Sequence, residues 1–401
     1  MNYLELLGLA APETVVVVTA LVVLAIGLAN DRATGICSVA AGLGLVAAAV
    51  AVALLPEHAT LFGGMVVITP LNSLFKIICL GLAFFTVLLG RADRSSRNYA
   101  EYLAMLLLAT LGLLLLVGSE ELLMLFIGLE LTGLCLYVMT GFDKNDVRSA
   151  EAGLKYFLFG STASAFTLFG LSLVYGMSGT TGLAAIAGTL HAPAAEPLLA
   201  AGIVMTLVGF AFKIAAAPFH LWAPDVYQGA PVTSAAFIAS GSKVASFVAL
   251  GKIVLVGFGP MQGSADWHAM VAGWSPVLAV LAAFSILLGN LVALAQSSVR
   301  RLLAYSAVAH AGYTLLGLVV GGREGFSATL FYITVYAITL IGAFGVVAAV
   351  RRKTGGDKIS DFSGLFSDSP LLATCMAVFM LSLAGLPPLA GFFGKFYLFS
   401  A

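Results

Sequence analysis

The chain has 401 residues, 61% hydrophobic and only 9% charged, against roughly 25% charged in an ordinary soluble domain. A fold of this composition has too little polar surface to face water, so the chain belongs in lipid. Its formal net charge of zero leaves neither a basic field for nucleic acid nor an acidic tail.

A bilayer-spanning helix needs about 20 apolar residues. Apolar runs between polar breaks predict twelve, over 13–30, 35–55, 70–90, 101–118, 121–141, 152–176, 197–222, 232–258, 274–297, 301–320, 327–350 and 369–401. The long connection 177–196, rich in Gly, Ala and Pro, leaves room for a short surface helix. The opening MNYLELLGLAAPET carries Glu5 and Glu13 without Lys or Arg, the wrong charge for a signal peptide. The closing GKFYLFSA is still apolar, so the chain is expected to be truncated within its last helix.

Basic residues are distributed unevenly over the connections. Those after odd-numbered helices hold Arg32, Arg91, Arg94, Arg97, Lys144, Arg148, Arg300, Arg301, Arg351, Arg352, Lys353 and Lys358; those after even-numbered helices hold only Arg323. The positive-inside rule then places the basic loops in the cytoplasm and the N-terminus outside.

Six basic residues remain, and all are lysines in predicted spans: Lys76, Lys155, Lys213, Lys243, Lys252 and Lys395. The ten arginines fall in connections or at their edges. A guanidinium stays charged at any accessible pH, whereas a desolvated ammonium can release its proton near neutrality. A proton carrier must exist in both states, so a row of buried lysines points to proton translocation. Ionisable residues inside a span cost at least about 2.5–3.5 kcal/mol on insertion scales and mark function by default.

The competing explanation is snorkelling to the headgroups. It suits Lys252, close to the GFGP that ends its helix, and competes evenly for Lys76, six residues after Pro70. Lys155 lies one turn after Glu151 and can pair with it. Lys213 and Lys243 sit mid-span, too far from either surface to snorkel. Among the acids, only Glu130 reads as deep within a helix, and a carboxylate facing Lys213 would keep that lysine charged.

Two predicted spans interrupt themselves. The seventh reads GFAFKIAAAPFHLWAPDVYQGAP, with Pro218, Pro224 and Pro231 among His220, Asp225 and Gln228; the twelfth reads LSLAGLPPLAGFFGKF, with Pro387 and Pro388. Proline frees a carbonyl of the preceding turn, which lipid tolerates only against protein or a wet cavity. Paired breaks near Lys213 and Lys395 suggest an inverted-repeat transporter; two ordinary kinks are the alternative. His220 and His310 are candidate relays, since imidazole switches near pH 7. Cys37, Cys79, Cys135 and Cys375 are scattered singly, with no CxxC, HxxxH or HExxH spacing, so neither a metal nor an iron–sulfur cluster is indicated.

These residues carry a resemblance. The stretch KIAAAPFHLWAPDVYQGAPVTSAAFIASGSK (213–243), with RRLLAYSAVAHAGY (300–313) and SLAGLPPLAGFFGKFYLF (382–399), resembles the antiporter-like membrane subunits of respiratory complex I, most closely the subunit N group. The resemblance implies an all-α polytopic membrane protein of fourteen helices. Helices 4–8 and 9–13 would form inverted repeats with helices 7 and 12 discontinuous. In this chain that gives 1–100 as three N-terminal helices, 101–258 as the first repeat and 274–401 as a second, incomplete one. By motif it makes Glu130, Lys155, Lys213, Lys243 and Lys395 the proton relay. It also implies a non-redox subunit of a proton-pumping NADH:quinone oxidoreductase, a translocase that does not act alone. NADH, FMN, iron–sulfur clusters and quinone would belong to partner subunits, and this chain would meet only other membrane-arm subunits and the lipid bilayer. GAPVTSAA lacks the usual Thr-Pro after GAP. The alternatives are a subunit of a multi-subunit sodium/proton antiporter or membrane-bound hydrogenase, and a membrane scaffold. The wording around Tyr227 and His310 favours complex I over the antiporter, and buried lysines argue against a scaffold.

Overall fold

Backbone amides in hydrocarbon must be satisfied within the chain, which forces apolar segments into helices. A computed structural model describes residues 3–30, 33–92, 98–190 and 196–401. Arg32, Arg94 and Arg97 lie outside the described residues, as do the Arg91 side chain and positions 191–195 of the long connection. The uninterrupted spans are α1 (Ala11–Ala29), α2 (Thr34–Ala53), α3 (Pro70–Ala92), α4 (Tyr99–Gly118), α5 (Leu122–Thr140) and α6 (Val147–Ser178). After a seventh element come α8 (Val232–Gly257), α9 (Trp274–Leu294), α10 (Val299–Val320) and α11 (Gly322–Thr354). The seventh and twelfth elements are each in two pieces: α7a (Pro197–Lys213) and α7b (Trp222–Gly229), then α12a (Pro370–Ala384) and α12b (Ala390–Ser400). Ten helices among the described residues are long and apolar enough to cross a membrane, and α7a and α12a are shorter apolar helices.

The departures from the sequence reading have local causes. Helix α6 begins at Val147, where the Asp146 carboxylate caps it by accepting from the Arg148 amide at 2.9 Å. Helix α11 runs on to Thr354 because Arg351, Arg352 and Lys353 occupy its last turn, where cations suit the helix dipole. Charged residues that read as connection are therefore helix ends. Between α2 and α3 a small antiparallel hairpin, β1 (Ala59–Leu61) with β2 (Val66–Ile68), adds two strands to the otherwise helical chain. Gly63 and Gly64, at φ 70° and 95°, supply the left-handed turn between the strands. The long connection holds the helix Leu183–Thr189.

Helix α8 is the axis of the bundle, buried along almost its whole length. Around it helices pair through glycine, because lipid tails offer no hydrophobic drive and close backbone approach must supply the attraction. A Cβ on Gly128 of α5 would stand 2.9 Å from the Leu116 amide of α4, and one on Gly289 of α9 would stand 2.4 Å from the Ala309 amide of α10. The bundle has two distinct ends. One cavity of about 320 Å³ gathers Gly90, Tyr99, Asp143, Val232 and Arg351, so the end of α3, the start of α4, the end of α5, the start of α8 and the end of α11 meet there. At the opposite end the close of α4 and the start of α5 bridge to the hairpin and to Gly182.

Candidate functional site

The buried lysines share a bonding logic. Three ammonium groups rest on backbone carbonyls of a neighbouring helix. Lys243, only 1% exposed, donates to the Ala307 carbonyl of α10 at 2.6 Å. Lys395 donates to the Leu383 and Ala384 carbonyls at 2.8 and 3.2 Å, the unsatisfied end of α12a where the helix breaks. Lys252 donates to the Val117 carbonyl at 2.7 Å, and the Ser119 carbonyl lies at 3.4 Å, at the end of α4. Carbonyl oxygens stabilise the Lys243 and Lys395 ammonium groups without a fixed negative charge, whereas Lys252 also pairs with the Glu120 carboxylate at 3.7 Å.

The break in the seventh element positions Lys213. Helix α7a ends at this residue, Ala215 turns left-handed at φ 58°, and the Phe212 carbonyl accepts both from the Ala215 amide and from Trp222 Nε1, each at 3.0 Å. The Ala217 amide, displaced from the helix, donates to Ser285 Oγ at 2.8 Å. Lys213 is buried at the negative end of α7a and faces α5, 3.6 Å from where a Cβ on Gly133 would stand. Glu130, one turn earlier on α5, interacts with it electrostatically, but no ion pair within 4.0 Å joins them. The Glu130 carboxylate instead accepts from the Ser164 hydroxyl of α6. The expected pair is therefore a through-space pair.

Around Lys243 the structure builds a cluster. The ammonium stands 5.5 Å from the Tyr336 ring centroid, and that ring lies 5.0 Å from His310. His310 follows Ala307 by one turn of α10. Its Nδ1 is 2.5 Å from the Tyr332 hydroxyl, and its ring meets Tyr313 edge-on at 5.7 Å. Lys395 lies over the Tyr313 ring, 4.9 Å from its centroid. His310, one buried imidazole, thus interacts electrostatically with both Lys243 and Lys395. Helices α8, α10, α11 and α12b converge here.

The other sequence candidates separate from this row. Lys155 forms ion pairs with Glu151 at 2.6 Å and with Asp225 at 2.8 Å, and its side chain is 39% exposed. Asp225 also accepts from Arg301 at 2.8 Å, so Lys155 belongs to a half-exposed network tying α6, α7b and α10. His220 is buried in the break beside Tyr305, with no hydrogen-bond partner for Nδ1. Neither Lys252 nor Lys76 snorkels. Lys252 caps α4, and Lys76 forms a buried ion pair with Glu13 at 2.6 Å. Glu13 lies in the first turn of α1 and draws the Lys76 ammonium inward, while Glu130 sits mid-helix in α5. Arg300 is likewise buried, donating to the Ala230 carbonyl. Sequence reasoning missed Ser164, Tyr332 and Tyr336; the four-residue spacing of the two tyrosines, one face of α11, was the available signal. Among the described residues no three His, Cys, Asp or Glu side chains converge as metal ligands would.

Residues 119–401 match the family described as NADH:quinone oxidoreductase/Mrp antiporter, TM. NADH-quinone oxidoreductase subunit N 2 of Acidobacterium capsulatum is 46% identical over all of this chain and 83% of that protein. A chain of respiratory complex I from Thermus thermophilus superposes with a TM-score of 0.79 at 34% identity, covering 97% of this chain and 82% of that one. A chain of the Mrp complex from Dietzia shares the fold, with a TM-score of 0.82 at 24% identity over 98% of this chain and 72% of that one.

Proposed function

This chain belongs to the subunit N family of NADH-quinone oxidoreductases, within the NADH:quinone oxidoreductase/Mrp antiporter membrane family, and from that premise we propose how it works. It is a multi-pass, proton-translocating membrane subunit of the oxidoreductase, and other membrane-arm subunits are its partners. As a translocase subunit it carries no redox centre; NADH, FMN, iron–sulfur clusters and quinone belong to partner subunits. The basic end of the bundle faces the cytoplasm of a bacterium and the N-terminus faces outside. Residues 101–258 and 274–401 are the two repeats, each with a relay lysine beside its helix break.

The observation that carries the mechanism is the cluster at Lys243. Its ammonium leans on a carbonyl and an aromatic face instead of a carboxylate, so its charge is held loosely. Bringing a positive charge to Lys213, Lys243 or Lys395 destabilises its neighbours' protons by repulsion, and His310 stands where it can pass a proton between Lys243 and Lys395. Glu130 sets the charge state of Lys213 from a distance and Lys155 gates it from the network at the surface. Replacement of Lys243 or Lys213 by Ala in membranes holding the intact complex is expected to abolish NADH-driven proton pumping. Lys243→Arg is expected to do the same, because a guanidinium keeps its proton. Normal pumping in the Ala variants would refute the relay; normal pumping in the Arg variant would refute the titration argument.

A further inference from the structure

The cavity of about 320 Å³ where α3, α4, α5, α8 and α11 meet includes none of the buried lysines. Arg351 and Arg352, from the last turn of α11, both line it. Lys353, the next residue, turns away and donates to Ser369 Oγ at 3.0 Å. Among the described residues neither guanidinium forms an ion pair within 4.0 Å, although Asp143 lines the same cavity. The Asp143 carboxylate accepts instead from the Asn145 amide of its own loop at 3.3 Å.

The other walls are built from hydroxyls and amides. Tyr99 and Tyr102 of α4 and Thr233 of α8 line the cavity, and each is buried. The Tyr102 hydroxyl lies 2.7 Å from Thr233 Oγ1 and 3.0 Å from Ser234 Oγ, which itself donates to the Met139 carbonyl at 2.9 Å. Gly90 leaves room beside them: a Cβ there would stand 3.0 Å from the Tyr99 hydroxyl oxygen and 3.7 Å from Thr233 Cγ2. Pro231 and Val232 bring in the first turn of α8, where the Ala235 amide donates back to the Pro231 carbonyl at 3.0 Å. The Val232 and Thr233 amides come before that bond, so they have no acceptor within the helix and stand at its positive end.

A solvated guanidinium at a helix end needs no ligand, and Arg352 taken alone is such a group. The convergence is what needs an explanation. Two guanidinium groups, buried hydroxyls and the start of a long helix share one cavity with a single carboxylate. The chemical complement of that set is an anion with several acceptor oxygens, and guanidinium forks and helix N-termini both suit phosphate. We propose that this cavity binds the phosphate group of an anionic molecule, held by Arg351 and Arg352 against the first turn of α8. A phospholipid headgroup and free phosphate present the same oxygens. Phe85 and Leu88, on the turns of α3 just before Gly90, are 54% and 45% exposed and offer acyl chains an apolar path, which favours the lipid.

The test uses the intact complex, stripped of lipid in a maltoside detergent and phosphate-free buffer. It is then given phosphatidylglycerol, or inorganic phosphate alone. Native mass spectrometry weighs this subunit as it leaves the complex, together with what it retains. The parent is expected to retain phosphatidylglycerol, and Lys353→Gln, which removes the same charge one residue beyond the cavity, to retain it equally. Arg351→Gln combined with Arg352→Gln should lower the apparent affinity at least about tenfold, the factor that one charge-assisted hydrogen bond corresponds to. Asp143→Asn should raise the affinity by removing the one repelling charge, a gain that misfolding cannot imitate. Retention of inorganic phosphate but not of the lipid, with the same response to these variants, would support the phosphate site and identify its ligand as soluble. The proposal is overturned if the parent retains neither probe, or if the arginine and Asp143 substitutions leave retention unchanged. A loss in Lys353→Gln equal to that in the arginine variant would also overturn it, because a diffuse basic surface would then account for binding.

Discussion

Replacing Glu13 with Gln should destabilise the protein as much as an ordinary core deletion. The Lys76 ammonium is 2% exposed and the Glu13 carboxylate 12%, and they meet at 2.6 Å. At an effective dielectric of about 20, that separation corresponds to about 6 kcal/mol of attraction. Desolvation of both ions opposes it by several kcal/mol each, so the pair as a whole contributes little net stability. Removing one partner is different. The Lys76 charge is left buried, with Lys252 close enough to repel it, and the expected loss is about 3–5 kcal/mol. Lys76→Met alone should cost a similar amount by stranding the carboxylate. The double variant should return to within about 1 kcal/mol of the parent, because neither charge then needs a partner. Equilibrium unfolding in mixed micelles, followed by circular dichroism, measures all three. Single variants within about 0.5 kcal/mol of the parent, or a double variant equal to the sum of the singles, would refute the reasoning.

Gly112→Ala and Gly128→Ala should each lower the level of folded protein by pushing α4 from α5, since the new Cβ meets backbone at 2.7 and 2.9 Å; overpacking of this kind costs about 1–3 kcal/mol, read by the same unfolding assay. Lys252→Met should cost about 1–3 kcal/mol by uncapping the Val117 carbonyl, yet leave protons pumped per quinone unchanged in the complex that assembles. Asp225→Asn removes the negative charge shared by Lys155 and Arg301 at a half-exposed site, so its effect on stability should stay near about 1 kcal/mol and shrink in high salt, as melting curves at two ionic strengths would show.

How much of this was legible varies by residue. The segments themselves were, because twenty-odd apolar residues have no other stable state in lipid. Helix ends were blurred wherever charge sits inside a last turn, as at Arg351 to Lys353. Proline marked both segments, and in the structure Lys213 ends α7a while Lys395 meets the carbonyls that end α12a, since a helix end leaves carbonyls that an ammonium can meet. The fate of Lys76 and Lys252 was not legible. Depth along one helix says whether a side chain can reach the headgroups, but says nothing of a Glu13 or a Val117 carbonyl arriving from another helix at the same height.

Composition and the chemistry of single side chains were enough to read the solvent, the apolar segments and the choice of lysine over arginine. Which groups each buried lysine meets came only from packing. Partners of a buried ammonium come from helices tens or hundreds of residues away, and only packing fixes whether it meets a carboxylate, as Lys76 does, or a carbonyl and an aromatic ring, as Lys243 does. A fixed countercharge holds a proton in place, whereas dipoles and hydroxyls let it leave.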